Sequence, residues 1–349
     1  MLPNLQSTPS RKVLVLKPVL AAVFGLAAGM LFVLFTQSSP LFAFKALMTA
    51  GFGCQAPGNC ALLTTLQWAT PLILSGLSAA VAFRAGIFCI GQAGQMVLGA
   101  AMAAQLGSQL HLPAALQITL ALAGAAAVGA LWGIIPGLLK VHLNVNEIIS
   151  SFVMNQAALF FLFLFRTGRI PPAARLLPLA VGTKLNGGFL IALACLLVVF
   201  LLLFRATHGF GWRMSGQAPH FAHFGGIHTA RSVTLAMCLS GALAGLAGGI
   251  EVLGVHYRFV SSFSENPFDG VIVALMGQSH PLGILLSGVF LGGVRLGSLN
   301  GLQLEAGIPR ELGGAMIAIM VLLMTADRLY RLLRQRARHL KNRLNNSNS

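Results

Sequence analysis

Charge is what this chain has least of. Of its 349 residues, 9% are charged and only 7 are Asp or Glu. A soluble domain carries roughly a quarter of its residues as charges, so a water-facing globule of this size is excluded. No G-x-x-x-x-G-K-[ST] phosphate loop occurs, which excludes ATP binding by that route. Neither H-E-x-x-H nor G-x-S-x-G occurs, and the common metalloprotease and serine-hydrolase chemistries go with them. Five cysteines are present. Cys89, Cys195 and Cys238 lie in apolar segments and read as packing residues. No His or further Cys stands near Cys54 and Cys60 to complete a zinc site. No metal and no cofactor is expected. No small-residue cleavage site closes the first apolar segment, which therefore reads as a membrane helix rather than a removed leader.

What the chain does have is apolar sequence: 56% of residues are hydrophobic. Phe189 to Phe204 is apolar without a break. Such runs are too long and too uniformly apolar for barrel strands, which alternate over about ten residues. The solvent is the lipid bilayer. Spans of about twenty apolar residues cross it as helices, and 40 glycines suit helices packed closely in lipid. The candidates are 18–36, 62–83, 87–106, 114–138, 147–165, 189–204, 233–254, 268–279, 281–297 and 310–326. The break at Gly277-Gln278-Ser279-His280-Pro281 interrupts a helix, since Pro281 removes a donor and restricts His280.

The net charge of +16 is not a nucleic-acid signal. Its densest cluster is the tail from Arg328 to Arg343, and Arg11, Lys12 and Lys17 flank the first span. Basic flanks mark the cytoplasmic side. Both termini are then cytoplasmic, the crossings even in number, and ten is the expected count. The fold class is an all-α, polytopic integral membrane helix bundle of about 10 transmembrane segments, some short or broken. Residues 1–17 form a cytoplasmic N-terminal segment, 18–327 the transmembrane domain, and 328–349 a basic cytoplasmic tail. The long polar stretch 205–232 falls on the cytoplasmic side. Segment 166–188 falls outside although it carries Arg166, Arg169, Arg175 and Lys184, against the charge rule.

Polar groups inside apolar segments carry the functional signal, because amides and carboxylates in lipid need partners or water. In the segment from Phe83 to Met96, glycines and glutamines enter a span. Gln92 and Gln95 either pack within a glycine-rich helix start or face a polar path. With Asn155 and Asp269 they are the candidates for a solute path, a mostly apolar site needing a few donors and acceptors. Asp269 has an alternative role in capping the next short helix, as Asn146 has before Glu147. Gly241, Gly245 and Gly249 give one flat helix face for close packing. Glu251 follows near the outer end. Cys54 and Cys60 share the loop GFGCQAPGNC, where a disulfide is open to them if that loop faces an oxidising compartment. In 205–232, the stretch after Pro219 is either a plain loop or a short amphipathic helix for a cytoplasmic partner.

Four segments in order, FRAGIFCIGQAGQMVLGA, VNEIISSFVMNQ, GFGWRMSGQAPHFAHFGGI and NPFDGVIVALMGQSHPLGI, resemble the permeases of ATP-binding-cassette importers. The branch is the nucleoside and simple-sugar permeases of the branched-chain amino acid and ribose permease family. The resemblance covers roughly residues 15 to 327. Cys89 stands where the family commonly has Asn, and Ala93 where it often has a carboxylate. The resemblance implies a subunit that performs no covalent chemistry and moves a small polar solute through the inner membrane of a bacterium. It implies cytoplasmic ATPase subunits, a second permease subunit, homologous or identical, and an extracytoplasmic solute-binding protein. It makes 205–232 the segment that couples to the ATPase, with Arg213, Gly216, Ala222 and Gly226 as its key positions. The alternative is an ion-coupled secondary transporter, which broken helices would suit but which so few acidic residues disfavour.

Overall fold

The computed structural model describes residues 11–34, 39–56, 59–110, 112–179, 185–260, 268–309 and 311–325. The expected basic tail lies outside them, as does most of the N-terminal segment. The architecture is an all-α bundle. Its helices are α1 (Arg11–Val33), α2 (Pro40–Phe52), α3 (Ala61–Arg84), α4 (Gln92–Gln109), α5 (Ala114–Leu143), α6 (Glu147–Phe160), α7 (Gly188–Phe204), α8 (Thr207–Gln217), α9 (Pro219–Phe224), α10 (Thr229–Glu251), α11 (Asp269–Met276), α12 (Pro281–Gly297) and α13 (Glu311–Thr325).

Five helical stretches among the described residues are long and apolar enough to cross a membrane alone, and a sixth if α7 and α8 count as one span bent by 68°. The other expected spans are shorter or more polar. Such pieces are tolerated where other protein covers them. α4 is one: twelve of its residues are buried.

α3 and α10 form the centre. α3 is mostly apolar and carries Pro71 within it. Ser78 on α3 meets Ser240 on α10 at 3.0 Å, the hydroxyls satisfying each other in the core. α10 lies against α5 backbone to backbone. A Cβ on Gly245 would lie 3.0 Å from Gly129 Cα, and one on Gly249 2.9 Å from Ala125 Cβ. That is the close contact expected of the Gly241, Gly245 and Gly249 face.

Two features are additions to the sequence reading. α2 stands before α3 and abuts α12, where a Cβ on Gly51 would meet the Gly293 carbonyl. Between α2 and α3 lies a small hairpin of β1 (Cys54–Ala56) and β2 (Asn59–Cys60), with Cys54 paired to Cys60. Their sulfurs are joined. Thr65 donates to the Gly51 carbonyl at 2.5 Å and closes the base of this excursion.

α10 and α12 both end in π-helical turns, Val252–His256 and Ser298–Glu305. The connection after α6 wraps the first of these. Leu176 N–H donates to Leu253 O, Ile170 N–H to Tyr257 O, and Asn186 Nδ2 to Gly254 O, each at 3.0 Å. Arg175 donates to Ile170 O and lies 4.3 Å from the Tyr257 ring centroid. The unexpected arginines of 166–188 thus sit at the opposite end of the bundle from Arg84, and Arg175 is spent on holding that loop.

Candidate solute path and coupling face

The segment from Ala85 to Gly91 is not helical; α4 begins only at Gln92. Its conformation is fixed from α6. Asn155 Nδ2 donates to Ile90 O at 2.8 Å, and Asn155 Oδ1 accepts Gly94 N–H at 2.9 Å. One turn earlier, Ser151 Oγ accepts Ile90 N–H at 3.3 Å. α6 can present both residues because Asn146 caps its start, its side chain accepting from Ile148 N–H and Ile149 N–H. Glu147 in that first turn pairs with Lys140 at 2.9 Å.

Gln92 and Gln95 open α4 beside this clamp, each 1% exposed. Gln92 Nε2 donates to Cys89 O at 3.2 Å. The Oε1 atoms of both glutamines are buried with no hydrogen-bond partner among the described residues. A buried amide oxygen left unmatched is costly; both are closed to water in this conformation, and each would gain a partner if movement opened the cluster to water or solute. Gln92, Gln95 and Asn155 thus form a polar cluster around the start of α4, Asn155 reaching it from α6 and Gln95 turned toward α5, where a Cβ on Gly133 would lie 3.2 Å from its Nε2.

Asp269 is not part of that cluster. It stands in the first turn of α11 and is paired with Arg295 of α12. Its neighbour Gly270 abuts Ser75 in the middle of α3. α11 thus begins within the bundle, and the carboxylate both favours the helix dipole and balances an embedded guanidinium. Glu251 lies 3.5 Å from His256 at the π-helical end of α10.

At the Arg84 end, 205–232 is mostly helical. Of the two readings of the stretch after Pro219, plain loop or short helix, α9 is the helix, whereas α8 was not evident in the glycine-rich sequence. α8 turns back onto the α3–α4 connection. A Cβ on Gly216 would lie 2.5 Å from Arg84 O and 2.6 Å from Gly86 N. Gly86 itself has φ +83°, a region glycine enters freely. Phe204, the last residue of α7, gathers the charged groups. The Arg84 and Arg213 guanidinium carbons lie 5.7 and 5.4 Å from its ring centroid, and the His280 ring 5.2 Å. Arg84 Nε also donates to Ser279 O at 3.2 Å. Gln278 and Ser279 both have positive φ, 51° and 52°, so the turn between α11 and α12 is tight and strained.

Ala222 is 1% exposed, packed against its own chain, while Phe221 and Phe224 beside it are 66% and 89% exposed. Gly226 has φ +78° and open space around it. The sequence reading missed Arg84, Phe204, His280 and the two phenylalanines of α9. The phenylalanines had a signal: aromatic residues in a segment read as water-facing.

The comparisons decide the family. The profile described as "Branched-chain amino acid transport system / permease component" matches residues 61–325. The chain belongs to this permease family. It is 35% identical over 330 residues to "Guanosine ABC transporter permease protein NupP" of Bacillus subtilis (strain 168), covering 89% of this chain and 93% of that one. It is 29% identical to "Nucleoside ABC transporter permease protein NupB" of Lactococcus lactis subsp. cremoris (strain MG1363), covering 95% and 96%. It is 26% identical to "Guanosine ABC transporter permease protein NupQ", again of Bacillus subtilis (strain 168), covering 65% and 78%. No solved structure matches the chain.

Proposed function

We infer that this permease imports nucleosides across the inner membrane of a bacterium, powered by separate cytoplasmic ATPase subunits and supplied by an extracytoplasmic binding protein. The observation that carries the mechanism is the contact of Gly216 with the Arg84–Gly86 turn. That turn runs directly into the segment held by Asn155, beside Gln92 and Gln95. A push on α8 and α9 from the cytoplasm therefore reaches the polar cluster through about ten residues of chain. A discrete shift of this kind is how closure of one domain is converted into alternating access in another.

The solute class rests on the relatives' names and on the chemistry of the cluster. Unmatched amide oxygens among apolar walls suit a small neutral solute with several N–H and O–H donors. A simple sugar offers hydroxyls and a small C–H face, whereas a nucleoside adds a flat heteroaromatic base with ring and exocyclic N–H groups. A second permease chain completes the pathway. In Bacillus subtilis two different relatives carry guanosine permease names, and the chain is closer to one than to the other. This favours a sister chain over an identical copy.

The ion-driven alternative has less support. Among the described residues, Glu147, Glu251 and Asp269 stand against Lys140, His256 and Arg295, and Glu305 and Glu311 are exposed at helix ends, so none stands as a bare carboxylate inside a span. Uptake of labelled guanosine by cells expressing the whole transporter, with competing nucleosides, sugars and branched-chain amino acids, tests the solute class. Competition by nucleosides alone is expected; competition by branched-chain amino acids alone would overturn it.

A further inference from the structure

α6 presents two faces. One carries Ser151, Asn155 and Ala158 inward against α4 and α5. The other is bare. Of the membrane-length span Glu147–Leu164 that α6 begins, 22% is buried, against 78% for α3. Ile149, Phe152, Val153, Leu159 and Phe160 line the bare face, between 47% and 76% exposed. They recur at spacings of three and four residues, so they form one stripe. At the centre of that stripe stands Gln156, also exposed, midway along the span.

A helix facing lipid has no use for an amide at mid-membrane. The side chain would lose its water and find no partner in hydrocarbon. Gln156 is too far from either end of the span for its amide to reach the headgroups. A stripe of apolar residues at heptad-like spacing with one central polar residue is instead the pattern of a helix seam, where the polar group pairs across and fixes register.

We propose that the bare face of α6 is the seam with the second permease subunit, and that Gln156 hydrogen-bonds there across the join. The proposal rests on the importer reading for the existence of a second subunit, and adds where that subunit sits. It gives α6 a mechanical role as well. The same helix that meets the partner holds Ile90 and Gly94 through Asn155, so movement at the seam and movement of the polar cluster are one movement.

Site-specific photo-crosslinking in membranes carrying the whole transporter tests this. Benzoylphenylalanine is placed at position 156, at the exposed positions 197 of α7 and 286 of α12, and at position 221 of α9. The expected result is an adduct of permease size from position 156, identified by mass as this chain or a sister chain, lipid adducts alone from 197 and 286, and an ATPase adduct from 221. Lipid adducts alone at 156, with the ATPase adduct retained at 221, would overturn the seam and leave the importer reading standing. An adduct of 156 with the ATPase or a binding protein would also overturn it. Absence of protein adducts at both 156 and 221 would contradict the seam and the importer reading together.

Discussion

Asn155 and Gly94 are joined by a 2.9 Å hydrogen bond from the Gly94 N–H to the Asn155 side-chain oxygen, while the amide nitrogen of Asn155 holds Ile90 O. One side chain thereby ties the close of the irregular stretch at Ile90 to the first turn of α4 at Gly94. We propose that it shapes the path rather than touching solute directly.

Replacing it tests that assignment. Asn155→Leu strands a backbone donor and a backbone acceptor, each costing about 1–3 kcal/mol when buried. Uptake and thermal stability of the purified transporter are expected to fall together. Lost uptake at unchanged stability would instead place Asn155 in contact with solute.

Gln95 should behave in the opposite way. Its buried oxygen has no partner among the described residues, so Gln95→Leu removes an oxygen that their packing does not use. Stability is expected to hold or rise, because deleting an unmatched buried polar group relieves its desolvation. Uptake is expected to fall, read as a raised half-saturation concentration for solute. A normal uptake curve would show that the oxygen meets only water.

Gly216→Leu is expected to separate fuel from work. The larger side chain has no room beside Arg84 O and Gly86 N, so α8 must shift off the turn. ATP hydrolysis by the assembled complex should persist while uptake drops. Phe221→Ala, which changes the exposed side of α9, should lower assembly with the ATPase instead, measured by co-purification. Normal coupling in Gly216→Leu would refute the mechanical link.

Asp269 and Arg295 form a pair embedded in the bundle. Removing one partner leaves a lone charge and costs about 3–5 kcal/mol, whereas replacing both with apolar groups is often nearly neutral. Asp269→Leu should therefore destabilise strongly, and adding Arg295→Met should restore most of the melting temperature. Failure of the double variant to recover would mean that the carboxylate itself serves the path.

The helical membrane bundle was legible in the sequence because apolar length is a local property. So was the capping by Asn146 and the close packing of Gly241, Gly245 and Gly249, which follow from spacing alone. The pairings were not. Asn155 finds partners 61 and 65 residues away, and Asp269 finds one 26 residues away; nothing local marks either. α2 was hidden because a 13-residue helix containing Lys45 falls short of a span. α8 was hidden by its three glycines, whose low helix propensity is overridden by packing on the Arg84–Gly86 turn. Asn155 and Gln156 are adjacent in sequence and chemically alike, yet one faces the core and the other faces out, a difference that only the rotation of α6 decides.

We propose that this chain moves nucleosides on power drawn from a separate ATPase. This is tested most directly by reconstituting the permease with its ATPase, sister permease and binding protein in sealed vesicles, and measuring labelled guanosine entry. Entry that requires ATP hydrolysis on the ATPase side, and is indifferent to an imposed proton or sodium gradient, is the predicted result. Entry driven by an ion gradient through the permease without ATP would contradict the account.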